Sequence, residues 1–268
     1  MSLADLTLAR WRGLDPAAAR RHAEEAARRV GGRLVRLDTS ARPDPVRHRA
    51  VIERAGQRYA LIPGGEVAVG YDVDAWRPSP GTLASYREES LAAGYGFETD
   101  PRAELARVMT PPRTVALPAV LMALEPGKLP EPPSLVAALY AEDGLRLPRP
   151  DEWEHACGAG AGTLFRWGDD VPEDAAPYGG GTGPHQLPNP FGLRIASDVY
   201  DSAEMTADPG SVYGGDGGAA VCGGYGTLLA WLPLATANRN PGTAELLHGP
   251  EGEDLFEEFN ARAVIDLD

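Results

Sequence analysis

The chain has 268 residues, of which 43% are hydrophobic, and this is enough to bury a substantial core in one large domain or two small ones. Its 32 glycines and 25 prolines favour turns and irregular loops and argue against a helix bundle. A net charge of −14 makes the chain repel phosphate backbones and anionic lipid, so we expect no nucleic-acid partner and no membrane partner.

The sequence predicts a soluble protein of the cytoplasm. The amino terminus has no apolar run of signal-peptide length, and the longest apolar stretch of the chain falls far short of a membrane span. The two cysteines, Cys157 and Cys222, are too few for a disulfide scaffold, and we expect free thiols. Whether the two lie close enough to form a single bridge is left open by the sequence.

Residues 1–45 are predicted to form a helical extension ahead of the main domain. Asp15 followed by Pro16 is typical of a helix start, and Gly31 is typical of a helix stop. A shorter helix is expected within residues 3–11. The arginines of the longer helix are interspersed with glutamates, which is the pattern of a solvated helix face.

The main domain, residues 46–268, begins with patterns typical of β-strands. Residues 51–53 and residues 59–62 flank the pair Ala55-Gly56. A short pair of this kind between two apolar runs predicts a β-hairpin.

Three helices are predicted between this hairpin and the centre of the chain. Two of them, at residues 83–93 and 100–109, belong to an ordered insertion at about residues 76–111 that we expect to act as a lid or an edge cover. The third covers residues 134–143, with Ser134 as its N-cap.

The central stretch, residues 145–170, has the most informative sequence. Residues 151–157 are predicted to form a short amphipathic helix, which Pro150 starts and the glycines from Gly158 onward end. Residues 164–169 are predicted to form a strand that runs into an acidic turn.

The last third of the chain is rich in glycine and proline. Residues 171–190 are predicted to form a loop, and the glycines of residues 214–218 permit left-handed turns. These glycines lack the strand-to-helix setting of a phosphate-binding loop, so we do not predict one.

Several of these segments resemble the formylglycine-generating (sulfatase-modifying factor) enzyme family, in the family's order and with a similar spacing over roughly residues 58–268. The segments that carry the resemblance are Ile62-Pro63-Gly64-Gly65, Arg146-Leu147-Pro148, Asp151-Glu152-Trp153-Glu154, Phe165 to Asp169, Asn189 to Leu193, Gly223-Gly224 and Asn260 to Asp268. The resemblance implies an α+β fold of the C-type-lectin-like kind, with short twisted strands, few helices and much irregular loop.

The resemblance also implies an activity that we do not expect of this chain. The family's oxidases hold copper between two cysteines a few residues after a double glycine. Counted from Gly223-Gly224, those positions fall near Leu228 and Pro233, and neither side chain ligates a metal. We therefore expect no copper and no cysteine oxidase activity.

Calcium is the candidate cofactor, because the resemblance implies a calcium ion near the family's acidic element. Matching the ends of that element places Asp201 at its asparagine and Glu204 at its glutamate. Carboxylates are hard oxygen ligands of the kind that calcium prefers. The alternative is a solvated acidic loop in an acidic protein.

The sequence leaves two functions open. The first is a divergent family member that serves as a binding module for a small molecule or a protein, since a fold of this kind presents a surface without needing catalysis. The second is an oxidative or protein-modifying enzyme that uses the same groove with different residues, with Cys222 as candidate nucleophile. The five histidines are scattered without ligand spacing, so no transition-metal site is expected.

Overall fold

The structure is a computed structural model that describes residues 3–40, 45–179, 183–250 and 252–267. It is a mixed α+β structure with 36% helix and 20% strand, which confirms the predicted class. Every helix in these ranges is too short or too polar to cross a lipid bilayer.

The helices are short and are separated by loops. They are α1 (Leu8–Gly13), α2 (Pro16–Arg29), α3 (Pro80–Ser85), α4 (Pro101–Val108), α5 (Pro133–Glu142), α6 (Pro150–Gly158), α7 (Ala219–Cys222), α8 (Thr227–Trp231), α9 (Pro241–His248) and α10 (Gly252–Leu255). The strands are β1 (Arg33–Thr39), β2 (His48–Arg54), β3 (Gln57–Ile62), β4 (Gly65–Val69), β5 (Arg113–Leu117), β6 (Val120–Ala123), β7 (Gly127–Lys128), β8 (Glu204–Met205), β9 (Val212–Tyr213), β10 (Asn260–Ala261) and β11 (Val264–Asp266).

The largest sheet is antiparallel, with strand order β1-β2-β3-β6-β11. A smaller sheet has the order β7-β10-β8-β9, and β4 pairs with β5. The β2–β3 hairpin turns at Ala55 and Gly56, as predicted. Both residues have positive φ, 50° and 82°, which matches the twist of two-residue hairpin turns.

The predicted N-terminal extension is not separate from the main domain. β1 pairs with β2 along its length, so the first strand belongs to the large sheet. The side chain of Trp11 is fully buried, and its indole N–H donates to the carbonyl of His48 at 2.8 Å. Ala23 and Ala26 of α2 are buried in the same apolar cluster as the sheet. Burial of Trp11 and of the alanines of α2, together with the pairing of β1 with β2, therefore attaches residues 3–39 to the main domain.

The central helix α6 is buried on all sides, whereas the sequence predicted an amphipathic helix. Its buried polar residues have hydrogen-bond partners, and those of Glu154 come from distant parts of the chain. The Glu154 carboxylate accepts hydrogen bonds from the amide N–H of Gly70 at 2.7 Å, the hydroxyl of Thr110 at 2.8 Å and the phenol of Tyr213 at 2.9 Å. These bonds compensate for the burial of a charged group.

Two local predictions were wrong, one partly because of a distant contact and one because of a neighbouring proline. Residues 164–169 form a tight turn rather than a strand, because the Asp169 carboxylate accepts from the N–H of Leu164 at 2.9 Å and from the phenol of Tyr71 at 3.1 Å. Ser134 is not the N-cap of α5, since Pro132 occupies that position and starts the helix one residue earlier.

Acid is expected to destabilise the protein through two buried histidines. The ring of His155 donates to the carbonyl of Pro63 at 2.9 Å, and both ring nitrogens of His185 lack a hydrogen-bond partner within the described ranges. Burial lowers the pKa of each histidine, so the unfolded chain binds protons first, with an ordinary pKa of about 6.5. The stabilisation is complete above that pH and is lost as the pH falls below it.

This prediction is checked by urea unfolding at pH 7.5 and pH 5.5. The free energy of unfolding should fall with pH by up to about 1.4 kcal/mol per pH unit for each histidine. His185→Phe should show a shallower pH dependence than the wild type. An unchanged slope in that variant would mean that other groups cause the acid sensitivity.

Candidate functional site

Leu228 and Pro233, which stand where the resemblance would place the copper cysteines, lie inside the protein. Leu228 belongs to α8 and is 1% exposed. Pro233 is buried in the 3₁₀ turn Leu232–Leu234 that follows. The segment is therefore helical and apolar.

The insertion covers this segment from outside. The Glu89 carboxylate accepts hydrogen bonds from the backbone N–H and the hydroxyl of Thr227 at 2.6 and 2.7 Å. The ring of Tyr225 packs against Tyr95 and Phe97 of the insertion, with centroid distances of 4.9 and 5.2 Å. Polar and aromatic contacts thus hold the insertion against the start of α8.

The two cysteines are free thiols in different environments. Cys157 is buried in α6, and Cys222 is exposed at the end of α7. The Cys222 sulfur lies 3.5 Å from the phenol oxygen of Tyr200. The open question of a Cys157–Cys222 bridge is therefore answered, because the structure does not join them.

We expect only Cys222 to react in the native protein. Burial raises the pKa of the Cys157 thiol to about 12, which removes the reactive thiolate as well as access to it. Native protein should therefore release one equivalent of thionitrobenzoate from Ellman's reagent, and unfolded protein should release two. Cys222→Ser should abolish the native reaction. Peptide mapping that finds the native adduct on Cys157 would contradict this expectation.

The two predicted calcium ligands are placed differently. Asp201 is exposed in a turn, whereas Glu204 of β8 is fully buried. The Glu204 carboxylate accepts from Nε and Nη2 of Arg262 at 2.8 and 2.6 Å and from the indole N–H of Trp153 at 3.0 Å. An ion bound to Glu204 would have to compete with Arg262.

Calcium at Asp201 and Glu204 stays a prediction. Within the described ranges, no group of three or more His, Cys, Asp or Glu side chains is placed to hold a metal ion. The test is the melting temperature after EDTA treatment and after calcium is restored. A melting temperature that does not change would rule out a stabilising ion.

A concave site lies elsewhere, between residues of α5, the loop before α6, the segment after β8 and the end of α9. It is a cleft of about 820 Å³, within the size range of ligand sites. Its floor contains Leu147, Met205 and Leu247, which belong to a second, smaller apolar cluster. The prolines of its lining are Pro118, Pro132, Pro133 and Pro209.

Two arginines line the cleft and share one buried carboxylate. Arg146 donates to both oxygens of Glu152 at 2.7 and 2.8 Å, and Arg149 donates to Glu152 at 2.7 Å. Burial alone would raise the pKa of the Glu152 carboxyl, but the hydrogen bonds from the arginines outweigh burial, and the pKa is lowered. Arg146 also pairs with Asp266 at 2.7 Å. Glu152 is therefore ionised and orients both guanidinium groups.

Arg149 is the cation with unused donors at this site. Its side chain is 54% exposed. Only its backbone N–H and one Nη2 bond are engaged, both with Glu152, and its Nε and Nη1 make no hydrogen bond to any described residue. His248 of α9 also lines the cleft, and burial lowers its pKa. Arg149 is thus the cation of the lining that keeps donors for a ligand, and the Asp266 carboxylate faces the same cleft.

The sequence analysis did not find this site. Arg146 appeared there only as part of the resemblance, and His248 only as one of several scattered histidines. Neither cysteine, nor Asp201 or Glu204, lines the cleft. The lining comes from six separated segments, and the nearest thing to a sequence signal is the pair of arginines three residues apart beside the prolines.

No protein-family model matches this chain, and the comparison with curated proteins found no match either. Functional arguments therefore rest on the residues themselves and on the geometry of the cleft. The fold alone does not identify the function, because one fold serves many functions.

Proposed function

We propose that this protein is a divergent member of the formylglycine-generating enzyme family, with a C-type-lectin-like fold, that binds a ligand in the cleft and does not oxidise cysteine. The observation that carries the proposal is the cleft itself. The cleft has a volume of about 820 Å³ and an apolar floor, and it is lined by an arginine whose Nε and Nη1 donors are unused among the described residues. Concave apolar sites with a few placed polar groups are the usual form of ligand sites.

The family proposal is supported by the way in which the matching segments meet. Trp153, Glu204 and Arg262 come from three segments that resemble the family at widely separated positions in the sequence. In the structure the Glu204 carboxylate accepts from both other side chains. A buried network of this kind requires all three residue types together.

The loss of oxidase activity is supported by the segment that carries Leu228 and Pro233. Both residues are buried, and the insertion packs over the start of α8. No residue of that segment supplies a thiolate. The enzyme alternative depends on Cys222, which is exposed at the end of α7 and lies outside the cleft, and we do not propose it as a second function.

The binding proposal is tested with two matched tryptophan variants of α5. Ala137 lines the cleft, whereas its neighbour Ala138 does not, and both side chains are exposed, so either replacement leaves the core intact. A fragment library is screened by ligand-observed NMR against wild type, Ala137→Trp and Ala138→Trp. We expect fragments whose binding is lost in Ala137→Trp and kept in Ala138→Trp. A screen without such fragments would refute the cleft as the binding site.

The absence of oxidase chemistry has a separate test. Protein purified without chelator is analysed for metals, then incubated with copper(I) and a cysteine-containing peptide in air. We expect no copper retained after desalting and no oxidation of the peptide beyond the rate of a protein-free control. Stoichiometric copper together with faster peptide oxidation would overturn this part of the proposal.

A further inference from the structure

We infer that the ligand of the cleft is an apolar molecule with a single carboxylate, which Arg149 binds. This inference rests on the proposed binding function and adds the chemical class of the ligand. It follows from the charges of the lining, from the donors that remain on Arg149 and from the composition of the floor.

Two guanidinium groups, of Arg146 and Arg149, meet two carboxylates at the cleft, and Arg149 is the cation that keeps free donors for a ligand. Arg146 lies between the carboxylates of Glu152 and Asp266 and bonds to both, so its charge is matched inside the protein. Arg149 bonds only to Glu152, and the same carboxylate also accepts hydrogen bonds from Arg146. Because the whole chain carries a net charge of −14, an anion needs such a local cation to bind at all.

The geometry of the remaining donors favours a carboxylate. Nε and Nη1 of Arg149 are without partners among the described residues, and a planar guanidinium donates best to a planar anion with two oxygens. The positive end of the α5 dipole is at the same site, since Pro133 and Ser134 of the first turn line the cleft. A doubly charged phosphate would meet only this one cation, and the Asp266 carboxylate would repel it.

The apolar floor of the cleft determines the chemistry of the part of the ligand beyond its carboxylate. Leu147, Met205 and Leu247 present apolar surface, and a space of about 820 Å³ is far larger than a carboxylate group. An apolar body of drug-like size is therefore needed to fill the cleft and displace its water. A free aryl or alkyl acid and the C-terminus of a peptide both have this chemistry.

Two matched pairs of probes test the inference by NMR titration. One pair is 3-phenylpropanoate and its amide; the other is acetyl-Ala-Leu-Phe as the free acid and as the C-terminal amide. At least one acid should bind about tenfold or more tighter than its amide, as expected for a charge-assisted bond. Arg149→Gln should reduce that difference to about twofold or less, and Arg36→Gln, at an exposed arginine of β1, should not change it.

The outcomes separate the two proposals. Preference for the peptide acid identifies a chain terminus as the ligand, and preference for the small acid identifies a free carboxylic acid. Amides that bind as tightly as acids, and that Ala137→Trp excludes, would overturn the carboxylate and leave the binding function standing. Failure of all four probes would also overturn the carboxylate. The binding function would then be tested by the fragment screen alone, because the fragments in that screen need not carry a charge.

Discussion

Replacing Arg262 with methionine is expected to lower the free energy of unfolding by about 3–5 kcal/mol. Both Arg262 and Glu204 are 0% exposed, so the variant leaves a buried carboxylate without its cation. It also removes donors to the carbonyls of Ala123 at 2.6 Å and Arg194 at 2.7 Å. Unpaired buried groups of this kind are far more destabilising than a lost surface contact.

Urea unfolding followed by circular dichroism measures this effect. The double variant Glu204→Leu with Arg262→Met should be more stable than Arg262→Met alone, because it leaves no buried charge. The exposed pair of Arg194 and Glu125 provides the control, and Arg194→Gln should change stability by about 0.5 kcal/mol or less. An effect of Arg262→Met as small as that of the control would show that Glu204 is not buried as described.

Trp153→Ala is expected to destabilise the protein by about 3–5 kcal/mol, mainly through the cavity that it leaves. The Trp153 side chain is fully buried, and its ring stacks on Tyr213 with a centroid distance of 4.8 Å. Its indole N–H is also one of the donors to Glu204, at 3.0 Å. The lost side-chain volume and the lost hydrogen bond therefore both destabilise Trp153→Ala.

Trp153→Phe separates the two contributions. It keeps most of the ring and removes the donor to Glu204, so the expected loss is smaller, about 1–3 kcal/mol. Both variants are measured by urea unfolding under the same conditions as wild type. If Trp153→Phe were as unstable as Trp153→Ala, the hydrogen bond would dominate; if it were as stable as wild type, the bond would have no net value.

The residues with the largest expected effects on stability are residues that carry the family resemblance. Trp153, Glu204 and Arg262 hold the central helix against β8 and the segment between β10 and β11. The resemblance therefore concerns the framework of the fold. The cleft is lined by other residues, such as Arg149 and His248, and function has to be argued there.

Local signals predicted the elements that depend on local chemistry. The Asp15 carboxylate accepts from the N–H of Ala18 at 2.7 Å and starts α2, as its position before Pro16 indicated. Asp100 caps α4 in the same way, accepting from Arg102 at 3.0 Å. Such caps bond only to residues two or three positions away, so the sequence alone determines them.

Predictions failed where the deciding partner lies far away in the sequence. The turn at residues 164–169 depends partly on Tyr71, which contacts Asp169 across 98 positions. Burial of Glu154 in α6 depends on donors at Gly70, Thr110 and Tyr213, which are 84, 44 and 59 positions away in the sequence. A pattern of apolar residues cannot reveal that a glutamate will be buried, since burial depends on whether distant donors reach it.

By itself, the sequence determined the α+β class, the β2–β3 hairpin, the starts of α2 and α4 and the lack of metal-binding side chains at Leu228 and Pro233. Only the tertiary structure decided that residues 3–39 share the common core, that Glu204 pairs with Arg262, and that Arg149 faces a cleft with unused donors. The reason is physical. Capping and turn geometry depend on neighbours in the chain, whereas burial, ion pairing and concave surfaces depend on which segments meet in space.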